Sequence, residues 1–234
     1  MKKHIPNAIT CLNLFCGCLA LYFAFHNQLI YTAYLVGIAA IFDFLDGMMA
    51  RVLGAYSEIG KQLDSLADMV SFGVVPGTIM FMLLQKSGNS FLGLSIEVVA
   101  FFGFLITIFS ALRLAKFNID TRQTTSFIGL PTPACTIFVA SLPLILEHGD
   151  LMHYAVILNP WVLVLLTILL SYLLIAELPL FALKFKNLTW QDNSIRFIFL
   201  ILSVILVALL KFAAIPLIIV TYILLSIIKK TSHS

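Results

Sequence analysis

Charge is scarce in this chain. Of 234 residues only 14 are lysine or arginine and 11 are aspartate or glutamate, too few to solvate the surface of a water-soluble domain of this length. No repeat of fixed period and no low-complexity linker interrupts it, so one domain over residues 1–234 is expected. Basic residues are not interleaved with aromatics, which argues against nucleic acid as a partner. There are four cysteines; Cys11, Cys16, Cys18 and Cys135 all lie in apolar runs and lack the spacing of a disulfide framework or a zinc site. They read as packing residues. No small-residue cleavage site follows the basic start, so the first helix is expected to be retained.

What the chain has in abundance is long hydrophobic runs. Hydrophobic residues make up 61% of it and the mean hydropathy is +1.06, the composition of a polytopic membrane protein. A spanning helix needs about 20 largely apolar residues. Eight such segments are expected, near 8–26, 30–53, 61–85, 96–117, 129–147, 157–180, 194–210 and 212–229, making an all-α transmembrane bundle in contact with membrane lipids. A single kinked helix over 194–229 would reduce the number to seven. With eight spans, only Lys86 and Lys211 of the 14 basic side chains fall on one side of the membrane. The excess on the other side places both termini in the cytoplasm.

Against this apolar background four aspartates stand between Asp43 and Asp68, in the run DFLDGMMARVLGAYSEIGKQLDSLAD. Each carboxylate in a membrane helix costs roughly 2.5–3.5 kcal/mol, so the four together cost on the order of 10–14 kcal/mol. That cost points to function. At about 100° per residue, Asp43, Asp46, Gly47, Ala50 and Arg51 share one face of the second helix. Asp64 and Asp68, four apart, stack on one face of the third. The connection Gly54–Ile59 is short enough to make the two helices antiparallel neighbours, so all four carboxylates are expected to converge at the cytoplasmic end. Close carboxylates repel one another unless cations hold them. Oxygen donors without nearby histidine or cysteine suit Mg2+ or Mn2+ rather than zinc. Two such cations stabilise attacking and leaving oxygens in phosphoryl transfer, and Arg51 offers a fixed positive fork to a phosphate.

The pattern Asp43-x2-Asp46-Gly47-x2-Ala50-Arg51-x8-Gly60-x3-Asp64-x3-Asp68 resembles, without a departure, the signature of the CDP-alcohol phosphatidyltransferase family. The resemblance implies a membrane enzyme that moves a phosphatidyl group from CDP-diacylglycerol to an alcohol and releases CMP. It implies metal ligation by Asp43, Asp46, Asp64 and Asp68, with Asp68 also the catalytic base and Arg51 catalytic. It implies contacts from Pro6, Asn7, Gly47, Ala50, Arg51, Ser57 and Gly60 to the CDP-lipid, and it implies a homodimer. The segments MVSFGVVP, ALRLAKFNID and FIGLPTPA are similar to those of the bacterial members that use L-serine, which implies that acceptor and a bacterial inner membrane. For serine, Arg113 is the expected carboxylate clamp, with Lys116 or Arg122 as substitutes and Ser71 and Asn118 as partners for the amine or hydroxyl. Two alternatives stay open. One is the same chemistry with glycerol 3-phosphate, an inositol compound or choline as acceptor. The other, an ion or proton transporter, is disfavoured because the outer halves of the helices carry almost no polar stations.

Overall fold

The computed structural model describes residues 4–120, 126–181 and 189–231. Of the basic residues used above for orientation or the acceptor, Lys2, Lys3, Arg122, Lys184 and Lys186 lie outside them.

The chain opens with two long helices, α1 (His4–Phe25) and α2 (Leu29–Val52), packed on each other as an antiparallel hairpin. Pro6 stands in the first turn of α1, where its missing N–H breaks no ladder bond. The contact is lined by small side chains, with Ala20 and Ala24 facing Leu29, Ala33 and Val36 in one buried cluster. That lets the backbones approach closely enough for Thr32 Oγ1 to donate to the Ala20 carbonyl at 3.2 Å.

After a turn through Gly54 (φ 58°), α3 (Glu58–Met69) starts at Ser57, whose Oγ accepts from the Gly60 N–H at 3.0 Å. The helix then widens into a π turn, Val70–Val74, before resuming as α4 (Val75–Lys86). Pro76 explains the widening. It has no N–H to give the Phe72 carbonyl four residues back, and the ladder slips so that the Val75 N–H bonds to Val70. Nearly every residue of α4 is buried, and it is the central helix of the bundle.

A two-stranded ribbon, β1 (Ser90–Phe91) and β2 (Leu94–Ser95), leads into α5 (Ile96–Ala100). A short 3₁₀ stretch, Phe101–Phe104, connects it to α6 (Leu105–Ile119). Gly103 sits where this stretch crosses α4: a Cβ there would lie 2.5 Å from the Phe81 backbone nitrogen. Because main chain cannot step aside, Gly103→Ala is expected to destabilise the protein by about 1–3 kcal/mol. Thermal melting of the detergent-solubilised chain would register that as a lower transition temperature.

The second half comprises α7 (Thr132–His148), α8 (Leu151–Ile157), α9 (Pro160–Ile175), α10 (Trp190–Leu210) and α11 (Ala214–Thr231). The strands β3 (Ser126–Ile128) and β4 (Pro179–Phe181) pair antiparallel. This corrects the expected 157–180 span. The helix ends at Ile175, and the backbone that follows is extended, bonded through the Gly129 N–H to the Leu178 carbonyl at 2.9 Å. Glu177, inside that expected span, is an exposed residue before β4.

Among the described residues, five helical stretches are long and apolar enough to cross a membrane, or six if α8 and α9, bent by 59°, make one span. The chain is an integral membrane protein. The expectation of eight exceeds that number in three places: α7 has 17 residues, α8–α9 is broken, and Asn193–Ile228 registers by length as one stretch. That last stretch reverses at Lys211 (φ 50°). Phe199 and Tyr222 lie ring to ring at 5.7 Å, whereas a straight helix would hold them about 34 Å apart. One end of the bundle gathers Asn27, Gln28, Lys86, Glu147 and Tyr154 around one cavity, with the His148 ring 4.8 Å from that of Phe212.

Candidate active site

Carboxylates of α2 and of the second half of α3 meet at the end opposite that cavity; the two helices are not the packed neighbours expected, because α1 packs against both. Carboxylate oxygens of Asp43, Asp64 and Asp68 all come within 4.8 Å of one another. Asp46 is placed differently from the other three. It is 5% exposed, and its Oδ2 accepts from Thr10 Oγ1 at 2.6 Å, so it stands in the wall of the site beside the group of three.

That wall encloses a cavity of about 640 Å³. Pro6, Asn7, Gly47, Ala50, Arg51, Ser57 and Gly60 all line it, together with Thr10, Asp46, Tyr56, Lys61 and Asp64. Local structure explains several of these positions. The Arg51 Nε donates to the Gly47 carbonyl one turn back at 2.9 Å, which folds the guanidinium along α2. Ser57 and Gly60 are held by the N-cap of α3, and a Cβ at Gly60 would lie 2.9 Å from Ser57 Oγ and 3.0 Å from Asn7 Oδ1. A larger residue there would close the cavity floor.

The group of three suits a divalent cation. Its donors are hard carboxylate oxygens, and the Asp64 Oδ1 is buried with no hydrogen-bond partner among the described residues, as a ligand atom would be. Asp43, Asp64 and Asp68 are the residues able to hold such an ion.

Among the residues expected at the acceptor site, Arg113 is brought to the acidic group. It is 7% exposed, lies within electrostatic reach of Asp68, and its Nε has no hydrogen-bond partner among the described residues. The guanidinium carbon sits 5.8 Å from the Phe117 ring centroid. Ser71 faces elsewhere: it is fully buried and its hydroxyl donates to the Asn13 carbonyl at 3.1 Å. Asn118 ties α6 to α3, its Nδ2 donating to Ser65 Oγ at 2.9 Å and its carbonyl accepting from Lys61 Nζ at 3.0 Å. Lys116 is exposed; Arg122 lies outside the described residues.

Two side chains of α1 belong to the site and were missed by sequence reasoning. Thr10 holds Asp46, and Asn13 Nδ2 approaches Asp68 Oδ1 at 3.3 Å. Their signal was present: Pro6, Thr10, Asn13 and Gly17 recur at helical spacing as a buried stripe in an otherwise apolar helix. A hydrogen bond to a charged group contributes roughly 1.5–3 kcal/mol. Thr10→Val is therefore expected to lower the turnover of the site by about tenfold or more while the chain still folds, as a rate assay paired with a melting curve would show.

Comparison with known proteins agrees with this geometry. The family profile described as CDP-alcohol phosphatidyltransferase matches residues 3–173, which takes in every helix that lines the site. A Helicobacter pylori strain J99 protein named CDP-diacylglycerol-serine O-phosphatidyltransferase is 38% identical over 136 residues, covering 57% of this chain and 54% of the relative. A Bacillus subtilis strain 168 protein of the same name is 35% identical over 182 residues, covering 75% of this chain and 89% of the relative. A Methanothermobacter thermautotrophicus protein named archaetidylserine synthase is 32% identical over 149 residues, covering 63% and 60%. The chain spans about half the length of the Helicobacter relative that it matches.

Proposed function

The chain belongs to the CDP-alcohol phosphatidyltransferase family, and on that premise we propose that it transfers the phosphatidyl group of CDP-diacylglycerol to L-serine, giving phosphatidylserine and CMP. The observation that carries this reading is the group Asp43, Asp64 and Asp68, with oxygens within 4.8 Å of one another, set beside the cavity of about 640 Å³. The serine in the names of the three relatives supports the choice of acceptor.

In this reading the CDP-lipid enters the cavity between α1, α2 and the start of α3. Arg51 and Lys61 line that cavity and meet the phosphates with positive charge. Pro6, Asn7, Gly47, Ala50, Ser57 and Gly60 shape the space for the nucleotide. Asp43, Asp64 and Asp68, with Asp46 beside them, would hold two divalent cations, Mg2+ or Mn2+, which would supply further positive charge to the pyrophosphate. Arg113, buried and lacking a partner at Nε among the described residues, clamps the serine carboxylate. Asp68 takes the proton of the serine hydroxyl as its oxygen forms a bond to the lipid-side phosphorus. The bond from that phosphorus to the bridging oxygen breaks, and CMP leaves with the electron pair. Asn13 and Thr10 orient Asp68 and Asp46 throughout. The enzyme works as a homodimer in a bacterial inner membrane, with the site and both termini toward the cytoplasm.

Metal removal tests the reading. Purified protein stripped with EDTA and supplied with CDP-diacylglycerol and L-serine is expected to release no CMP above background, and to recover when Mn2+ or Mg2+ is restored. Release that continued in EDTA, or that ignored serine, would count against it.

A further inference from the structure

The π turn Val70–Val74 begins two residues beyond Asp68. Pro76 leaves the Phe72 carbonyl without the partner an α-helix would give it, and a buried carbonyl must find another. The neighbouring helices supply it. Thr136 of α7 stands with its Oγ1 between the Phe72 carbonyl at 2.9 Å and its own helix's Thr132 carbonyl at 2.8 Å, sharing one proton. Thr107 of α6 donates to the Gly73 carbonyl at 2.9 Å. On the opposite side, Ser71 Oγ donates to the Asn13 carbonyl, and the Asn13 side chain reaches Asp68. Hydroxyls and backbone of three helices thus grip a single turn.

That grip matters for the acids because of helical phase. One residue gained or lost in a helix rotates everything before it by about 100°. If the turn relaxed to the α register, the face carrying Asp64 and Asp68 would swing away from Asp43. We propose that Thr107 and Thr136 are positioning residues for the acidic centre: their hydroxyls hold the π turn that sets the angle at which Asp64 and Asp68 meet Asp43. This rests on the reading above that the acidic group holds a divalent cation during turnover. Neither threonine touches that group among the described residues; each acts through the Phe72 or Gly73 carbonyl.

The test uses the full chain in detergent, without CDP-diacylglycerol or any alcohol. Mn2+ is titrated into the protein and the free ion is followed by electron paramagnetic resonance, alongside a thermal melt. Thr107→Val and Thr136→Val remove a hydroxyl with nearly no change in shape, and each is expected to weaken Mn2+ binding by about tenfold or more. Thr136→Ser keeps the donor and is expected to bind as the parent does. The two threonines lie on different helices, so either valine variant decides the matter if the other does not fold. Parent-like Mn2+ affinity in a valine variant whose melting temperature falls would assign the hydroxyls a purely structural role and overturn the proposal, as would a serine variant no better than valine. A chain that used another acceptor alcohol would give the same titration, so failure here and failure of the serine reading are separate results.

Discussion

Asp68→Asn is expected to reduce serine-dependent CMP release by at least about 10³-fold. The substitution keeps the shape and the Asn13 contact but removes the base that takes the serine proton, a step that contributes roughly 10²- to 10⁴-fold. It also removes one of the three carboxylates whose oxygens lie within 4.8 Å, and so weakens the hold on any cation. Folding should not suffer. Three carboxylates at that distance repel one another, and converting one to an amide relieves the repulsion. In EDTA the variant is therefore expected to melt no lower than the parent. Added Mn2+ should raise the melting temperature of the parent more than that of the variant, because a ligand stabilises in proportion to how tightly the native state holds it. An inactive variant that also melted well below the parent would point to a structural role for Asp68 instead.

Arg113→Met is expected to raise the KM for L-serine by about 100-fold with little change in the KM for CDP-diacylglycerol. Truncating one partner of a buried charge pair costs about 2–5 kcal/mol, and each 1.4 kcal/mol is a factor of ten. The selectivity follows from location: Arg113 belongs to α6 and is absent from the wall of the CDP-lipid cavity. Arg113→Lys should recover only part of the loss, since an ammonium cannot reproduce the two parallel bonds of a guanidinium to a carboxylate. Arg113→Met is also expected to melt lower than the parent in EDTA, because removing the buried cation leaves the Asp68 carboxylate less compensated. Steady-state kinetics with each substrate varied in turn separate these outcomes. Equal rises in both KM values would remove Arg113 from the serine site.

Some of this was legible in the residues and some was not, for physical reasons. The acidic centre could be read because its spacing is local. Asp43 and Asp46 lie on one helix, Asp64 and Asp68 on the next, and a short turn brings their carboxylates to one end, although the two helices pack on α1 rather than on each other. Arg113 could be singled out because it stands near the same end of an apolar helix as the acids, where the carboxylate of a serine acceptor would need a cation. The role of Ser71 could not be read. It follows Asp68 by three residues, which in an unbroken helix would keep it near the acids, but the π turn sends its hydroxyl to the Asn13 carbonyl. Pro76 was the visible sign of that turn, though a proline alone does not tell whether a helix kinks, ends or widens. The same limit applied to Ile175. Nothing in an apolar run announces that it will leave the helix to pair with Ser126–Ile128, since that pairing depends on a segment some fifty residues earlier. Thr107 and Thr136 were silent for a related reason, as a threonine in a membrane helix most often bonds its own backbone.

A site that joins a phosphatidyl group to serine is recognised by its lipid product. Purified protein would be given CDP-diacylglycerol and Mn2+ with equal concentrations of L-serine, glycerol 3-phosphate and myo-inositol, and the lipid products separated and weighed by mass spectrometry. Phosphatidylserine is the expected product, formed in step with CMP. A product bearing glycerol phosphate or inositol in its place, or no lipid product at all, would contradict it.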